Sequence, residues 1–243
     1  MYSKKPSFLP TNVKWHFSPD NDNLGMDLAS CFGLIVKETL KSKKRISAAF
    51  SGGNSPKLFL DHINKLKIPW ESIDITLVDE RWVDNKSLHS NEFLLKRFLL
   101  KNDAIKSNFI PFMNSDKDIL SGQKKIEKNL LSSISWPLDI VILGMGIDAH
   151  TASLFPMNQN LDIAYDRQNK NKTICSFSEN HPYDRITLTA NAIEDSQNLF
   201  LHICGVDKLN VLKKAYELKD EKLMPIFKFL ERDITIFWCN KSQ

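Results

Sequence analysis

Residues 139–156, DIVILGMGIDAHTASLFP, constrain the fold more than any other stretch of the chain. Ile140 to Leu143 is a short apolar, β-branched run, the composition of a strand buried on both faces in a parallel sheet. Gly144 and Gly146 follow at once, where the backbone can turn and approach a ligand more closely than a residue with a Cβ allows. Asp148 and His150 come next, close to where an open α/β sheet binds ligands, outside the carboxyl ends of its strands. A strand that empties into a carboxylate and an imidazole is a place for chemistry.

Similar strand-then-loop units recur along the chain. Strands are expected at 13–17, 46–50, 73–78, 140–143, 173–177, 186–189, 198–204 and 234–239. Helical stripes appear at Leu24, Leu28, Phe32 and Ile35, at Phe59, Ile63 and Leu66, over 93–100, over 115–131, and at Leu209, Leu212 and Tyr216. This alternation predicts one Rossmann-like α/β domain over 1–243, with a mainly parallel central sheet and helices on both faces. A chain of 243 residues can bury such a core without staples. The segment 157–172 is polar and poorly periodic, and it is expected to be a surface excursion.

Two further strand ends carry polar residues. SGGNSP, Ser51 to Pro56, follows the strand at 46–50; Gly52 and Gly53 free the backbone, and Ser55 with Pro56 reads as N-cap and first helical residue. Backbone N–H groups converging there would suit an anion, although the same residues also make a ligand-free tight turn. Asp79, Glu80 and Arg81 leave the strand at 73–78, beside SGGNSP if consecutive units pair.

Charge and cysteine content exclude several classes. A net charge of +4 is short of the bias of a dedicated nucleic-acid binder and suits a small anionic ligand. The one dense basic run, Lys41 to Arg45, falls where a helix is expected to end and reads as a solvated helix terminus. Cys31, Cys175, Cys204 and Cys239 form no C-x-x-C pair, which argues for reduced thiols rather than a zinc site. With no secretory h-region and no apolar run long enough for a bilayer, the chain is expected in the cytoplasm. A monomer is expected, with a homodimer as the alternative.

His150 stands apart from His16, His62, His89, His181 and His202, which have no comparable context and read as ordinary hydrogen-bonded or solvated side chains. In a glycine-opened loop, with Asp148 two residues away, a neutral imidazole can take a proton from water while the carboxylate stabilises the resulting imidazolium. The residues therefore point to water activation or proton transfer on a small anion. GMGIDA also fits a G-x-G-x-x-A dinucleotide pattern, but Pro156 curtails the long helix such a pattern opens.

SGGNSP, DERWV followed by SNEFLL, ILGMGIDAHTASLFP, RITLT and GVDK, in this order over residues 46–215, resemble the 6-phosphogluconolactonase family, which shares its fold with the amino-sugar-phosphate isomerase/deaminases. The resemblance implies hydrolysis of 6-phospho-D-glucono-1,5-lactone without a redox cofactor or metal. It also implies roles. His150 would be the general base and Asp148 its orienting partner. Ser51, Gly52, Gly53 and Asn54 would line the phosphate or sugar, with Lys208 and Arg185 as phosphate cations. Asp79 and Arg81 would face the ligand from the neighbouring strand end. The isomerase/deaminase activity and a non-catalytic sugar-phosphate sensor are the alternatives.

The chain departs from the family pattern in several places. Ala149 and Met157 stand where glycines are usual, Ile147 where a polar residue or proline is, and Asn54 and Ser55 where serine or arginine and threonine are commoner. If Ala149 needs a positive φ, alanine costs about 1 kcal/mol or more.

Overall fold

The computed structural model describes residues 4–178 and 181–240. In chain order its elements are β1 (Lys14–Ser18), α1 (Asn21–Thr39), β2 (Ile46–Phe50), α2 (Lys57–Ile63), β3 (Ile73–Leu77), β4 (Asp79–Arg81), α3 (Asn91–Phe98), β5 (Asn108–Phe109) and α4 (Ile119–Ser133). There follow β6 (Ile140–Leu143), α5 (Leu161–Tyr165), β7 (Thr173–Ser176), β8 (Arg185–Leu188), α6 (Ala190–Glu194), β9 (Asn198–Cys204), α7 (Val206–Leu218), α8 (Phe227–Leu230) and β10 (Ile234–Cys239).

Seven strands form one sheet in the order β1-β10-β9-β6-β2-β3-β5, and every adjacent pair is parallel. β2, β3 and β6 are buried at every residue because both faces of the sheet are covered; β6 is accordingly an unbroken apolar run, while β2 and β3 carry Ser47, Asp74 and Thr76 within theirs. From β2 the chain runs outward through β3 to β5, whereas from β6 it reaches β9 and then β10 on the other side. The neighbours β2 and β6 therefore flank the topological switch point, and the crevice at their carboxyl ends is where such a sheet binds ligands.

α1 shows how local signals fix an element. Asp20 caps it by accepting from Asn23 N at 2.9 Å, worth about 1 kcal/mol. Leu24, Leu28, Phe32 and Val36 then recur every fourth residue and are all buried against the sheet. Phe32 meets Phe50 of β2 at 5.8 Å between ring centroids and Trp70 at 6.5 Å. Truncating Leu28 to alanine would open a cavity there at a cost of about 2–5 kcal/mol.

The expected 73–78 strand ends at Leu77 because Val78 is where the chain leaves the main sheet: Val78 N donates back to Phe50 O at 3.0 Å, while its carbonyl accepts from Leu188 N at 2.9 Å. β4 then joins a second, antiparallel sheet of order β4-β8-β7. The sequence pattern identified β7 and β8, but not β4, and gave no sign of a separate layer. That layer folds Arg81 and Arg185 over the switch point.

Other expectations need correction. Ser55 is not the cap of α2; Pro56 occupies that position with no side-chain hydrogen bond, and the helix stops at Ile63, short of Leu66. α4 begins at Ile119 rather than 115, because Asp118 caps it through Ser121 N at 2.8 Å. The 157–172 segment is not simply a surface excursion. It contains α5, whose Leu161, Ala164 and Tyr165 are buried, with the Tyr165 hydroxyl donating to Glu221 O; five residues are too few to show a period. The basic run at 41–45 is not merely solvated either. Lys43 pairs with Asp139 and Arg45 with Asp74 at 2.7 Å, both carboxylates buried at the amino ends of their strands, opposite the crevice. No helix of the described residues is long and apolar enough to cross a membrane.

Candidate active site

Strand pairing brings the two glycine loops together. In register, Phe50 of β2 lies beside Ile142 of β6, and Ser51 N donates to Ile142 O at 3.0 Å. The resulting cavity is lined by Ser51, Gly52, Gly53, Asn54, Asp79, Arg81, Arg185, Lys208 and His150, with Ser55, Asn91, Gly146 and His202 beside them. Asp148 is not among the lining residues; it sits behind His150.

The loop after β6 is held in one shape. His150 Nδ1 meets Asp148 Oδ1 at 2.5 Å, and the His150 backbone N–H donates to the same oxygen at 3.2 Å. The His150 carbonyl accepts from Gly146 N at 2.9 Å, the Thr151 hydroxyl donates to Gly144 O at 2.7 Å, and Ile226 N donates to Ala149 O at 3.0 Å. Burial raises the proton affinity of Asp148, but the hydrogen bond and charge of His150 outweigh it and hold the carboxyl well below its usual range. An ionised Asp148 at Nδ1 fixes the proton there and leaves Nε2 as the free base.

Gly146 is required here for space. A Cβ on it would lie 2.3 Å from the His150 ring and 2.4 Å from Asp148 Oδ1, whereas a Cβ on Gly144 would meet nothing nearer than 4.0 Å. The dyad thus packs onto the bare face of Gly146. Ala149 is fully buried at φ +69°, in the left-handed region, and Met157 lies there too at φ +55°. Both non-glycine departures therefore keep the backbone shape a glycine would favour. No helix follows Gly146, which removes the dinucleotide reading of GMGIDA.

The cation side is built by the second sheet. Arg81 and Arg185 are register partners across β4 and β8, an arrangement of like charges that is unfavourable until an anion joins it. Arg81 Nη1 donates to His89 O at 2.6 Å; Arg185 lies over the Phe155 ring at 5.2 Å and 3.9 Å from Asp79. Desolvation lowers the proton affinity of both Arg185 and Lys208. Lys208 stands in the first turn of α7 and reaches Ser55 Oγ at 3.4 Å. The Nε atoms of Arg81 and Arg185, the Ser51 hydroxyl and both ring nitrogens of His202 are buried without a hydrogen-bond partner, so the cavity offers polar groups that an oxygen-rich ligand could satisfy.

Asp79 lines the cavity and also braces it. Its Oδ2 accepts from the Ser153 hydroxyl at 2.6 Å and its Oδ1 from Asn91 Nδ2 at 3.3 Å, tying β4 to the β6 loop and to α3. Glu80 is buried beside it and accepts from Arg81 N, Asn91 N, Glu92 N and the Ser90 hydroxyl, though burial still pushes its carboxyl up to about 7. Sequence reasoning missed Asn91, whose amide would collide with a Cβ on Gly52, and two histidines. His202 is wholly buried and, through desolvation and the nearby Lys208 charge, titrates only at about 3, so it is neutral and does not compete for an anion. His181 Nε2 lies 3.3 Å from Asp148 Oδ2. The spacing of RITLT behind it pointed to the strand, not to this contact.

Asp148, His150 and His181 offer ligand atoms within 4.8 Å of one another. Two zinc ligands at bonds of about 2.0–2.2 Å stand roughly 3.3 Å apart in a tetrahedron. The 2.5 Å contact is too short for that and is a hydrogen bond.

The model of the family described as glucosamine-6-phosphate isomerases/6-phosphogluconolactonase matches residues 19–238. The chain belongs to this family. It is 37% identical over 203 residues to the 6-phosphogluconolactonase of Helicobacter pylori, covering 84% of this chain and 86% of that one. To the 6-phosphogluconolactonase of Pseudomonas aeruginosa it is 33% identical over 203 residues, covering 84% and 85%. The crystal structure of a 6-phosphogluconolactonase from Shewanella baltica superposes with a TM-score of 0.90 at 31% identity, over 95% of this chain and 99% of that one.

Proposed function

We propose that this chain is a 6-phosphogluconolactonase, a hydrolase that opens 6-phospho-D-glucono-1,5-lactone to 6-phospho-D-gluconate in the oxidative pentose phosphate pathway. The observation that carries the reading is the 2.5 Å Asp148–His150 pair at the edge of a cavity faced by Arg81, Arg185 and Lys208. In this mechanism His150 Nε2 removes a proton from a water as its oxygen attacks the lactone carbonyl, and Asp148 stabilises the imidazolium. As the tetrahedral intermediate collapses, the C1–ring-oxygen bond breaks and the imidazolium returns its proton to that oxygen. Ser51, Gly52, Gly53 and Asn54 cradle the phosphate end with Lys208 and Arg185, and Arg81 faces the ligand from β4. Asp79 ties β4 to the β6 loop and to α3. The reading carries a cytoplasmic, monomeric, single-domain enzyme that uses no redox cofactor.

Incubation of purified protein with freshly generated lactone tests it. Acid release well above the spontaneous rate is expected, falling by at least about 10²-fold in His150→Ala. No excess rate at neutral pH would sink the proposal. Ammonia release from glucosamine 6-phosphate would instead favour the isomerase/deaminase activity, and saturable 6-phosphogluconate binding without turnover would favour a sensor.

A further inference from the structure

His181 was unremarkable in the sequence, yet the fold delivers it to the back of the Asp148–His150 pair. Asp148 Oδ1 is taken by His150, through the ring at 2.5 Å and the backbone N–H at 3.2 Å. The other oxygen, Oδ2, faces His181 Nε2 at 3.3 Å. The His181 ring is itself held by stacking on Phe155, with centroids 4.2 Å apart and planes inclined by 22°. Phe155 also packs against His150 at 5.0 Å, and His150 meets His181 edge-on at 5.3 Å. One aromatic platform thus fixes both imidazoles on opposite oxygens of a single carboxylate.

We propose that His181 is a positioning residue for the hydrolytic base: its Nε2–H grips the second oxygen of Asp148, stops the carboxylate from rotating away from His150 Nδ1, and draws part of its charge. The proposal rests on the reading of His150 as the base. Two consequences follow from elementary electrostatics. A carboxylate pinned at both oxygens keeps the imidazole in the tautomer that leaves Nε2 free. A carboxylate that shares its charge with a second donor also stabilises an imidazolium less, so the base stays unprotonated to lower pH. Among the described residues, the charged and titratable groups that act on His181 are Asp148 and His150 of the central loop and Arg185 of β8; desolvation and any positive charge on His150 lower its proton affinity, which favours the neutral ring, and Nε2–H donates to Asp148 in either protonation state.

The test is kinetic. His181→Phe keeps a ring on Phe155 but removes the donor, and His181→Gln keeps a donor without the ring. For His181→Phe, kcat is expected to fall by about 3- to 10-fold, the worth of one ordinary hydrogen bond. The acid limb of its kcat/KM profile should move to higher pH, with KM within about twofold of wild type. His181→Gln should recover most of kcat and return the acid limb toward its original position. A purely structural role would lower the melting temperature of both variants and leave the acid limb in place. His150→Ala is run in parallel. If it abolishes turnover while folded His181→Phe keeps both rate and acid limb, the positioning role is overturned. If His150→Ala itself retains activity, the reading of the base falls and this proposal with it.

Discussion

The loop after β6 and the loop after β2 both begin at the carboxyl end of a buried parallel strand and both carry glycine near their start, yet they are built differently. The first closes on itself: Gly146 N, Thr151 Oγ1, His150 N and Ile226 N all donate within it or to it, and Asp148 Oδ1 and His150 Nδ1 are 2.5 Å apart. The second has Ser51 N tied to β6, a long 3.5 Å contact from Lys57 N to Asn54 O, no side-chain cap on its helix, and an unpartnered Ser51 hydroxyl. One loop is finished without a ligand and the other leaves its polar groups facing the cavity. That difference matches a division of work in which the β6 loop supplies a base whose geometry must already be set and the β2 loop completes its hydrogen bonds on an anion.

Filling the space the dyad occupies is expected to have the largest effect. Gly146→Ala would place a methyl 2.3 Å from the His150 ring. Displacing the base by about 1 Å can cost up to about 10²-fold, so kcat should fall at least about tenfold, whereas Gly144→Ala, with nothing inside 4.0 Å, should be near wild type. Equal losses in the two variants would show that the dyad is not packed on Gly146. A smaller effect is expected from relieving strain. At φ +69° Ala149 costs roughly 1–2 kcal/mol, of which glycine would return part, since it also loosens the unfolded chain by about 0.4–1 kcal/mol. Ala149→Gly should therefore raise the melting temperature by about 1–4 °C, as read by thermal denaturation; a fall would contradict the strain.

The smallest effect is in acid. Asp148 has a folded-state proton affinity below that of its ordinary value near 3.8, so its stabilising contribution is present above that value and is lost as pH falls through the lower, folded one. Over the range from about pH 5 to pH 2, wild type should lose slightly more stability than Asp148→Asn in denaturant melts. With about a third of the side chain exposed to solvent, the difference is small.

Much of this arrangement was legible in the sequence because it is written in short range. β2, β6, β9 and β10 were read with the bounds the structure gives them, since each is an apolar run closed by glycine or by a change of polarity. The loop residues Ser51–Asn54, Asp148 and His150 stood out for the same reason. What was not legible depends on contacts far apart in the chain. The second sheet needs Val78 to leave one layer for another, and strand hydropathy is alike in both. That Asp79 also braces the β6 loop and α3 could not be read, because its partners, Ser153 and Asn91, lie 74 and 12 residues away. His181 is 33 residues from Asp148, in a segment with no periodicity, and nothing local marks it. Ala149 and Met157 were flagged as departures from glycine; their left-handed backbone is what explains why glycine is usual there.

The division between the two loops is tested most directly by measuring kcat and KM on freshly generated 6-phosphogluconolactone for His150→Ala and Lys208→Ala side by side. The account predicts that His150→Ala loses at least about 10²-fold in kcat with KM within a few-fold. Lys208→Ala, losing a charge-assisted contact to the anion, should instead raise KM by at least about tenfold with kcat largely kept. A loss confined to KM in His150→Ala, or an equal collapse of kcat in both variants, would contradict it.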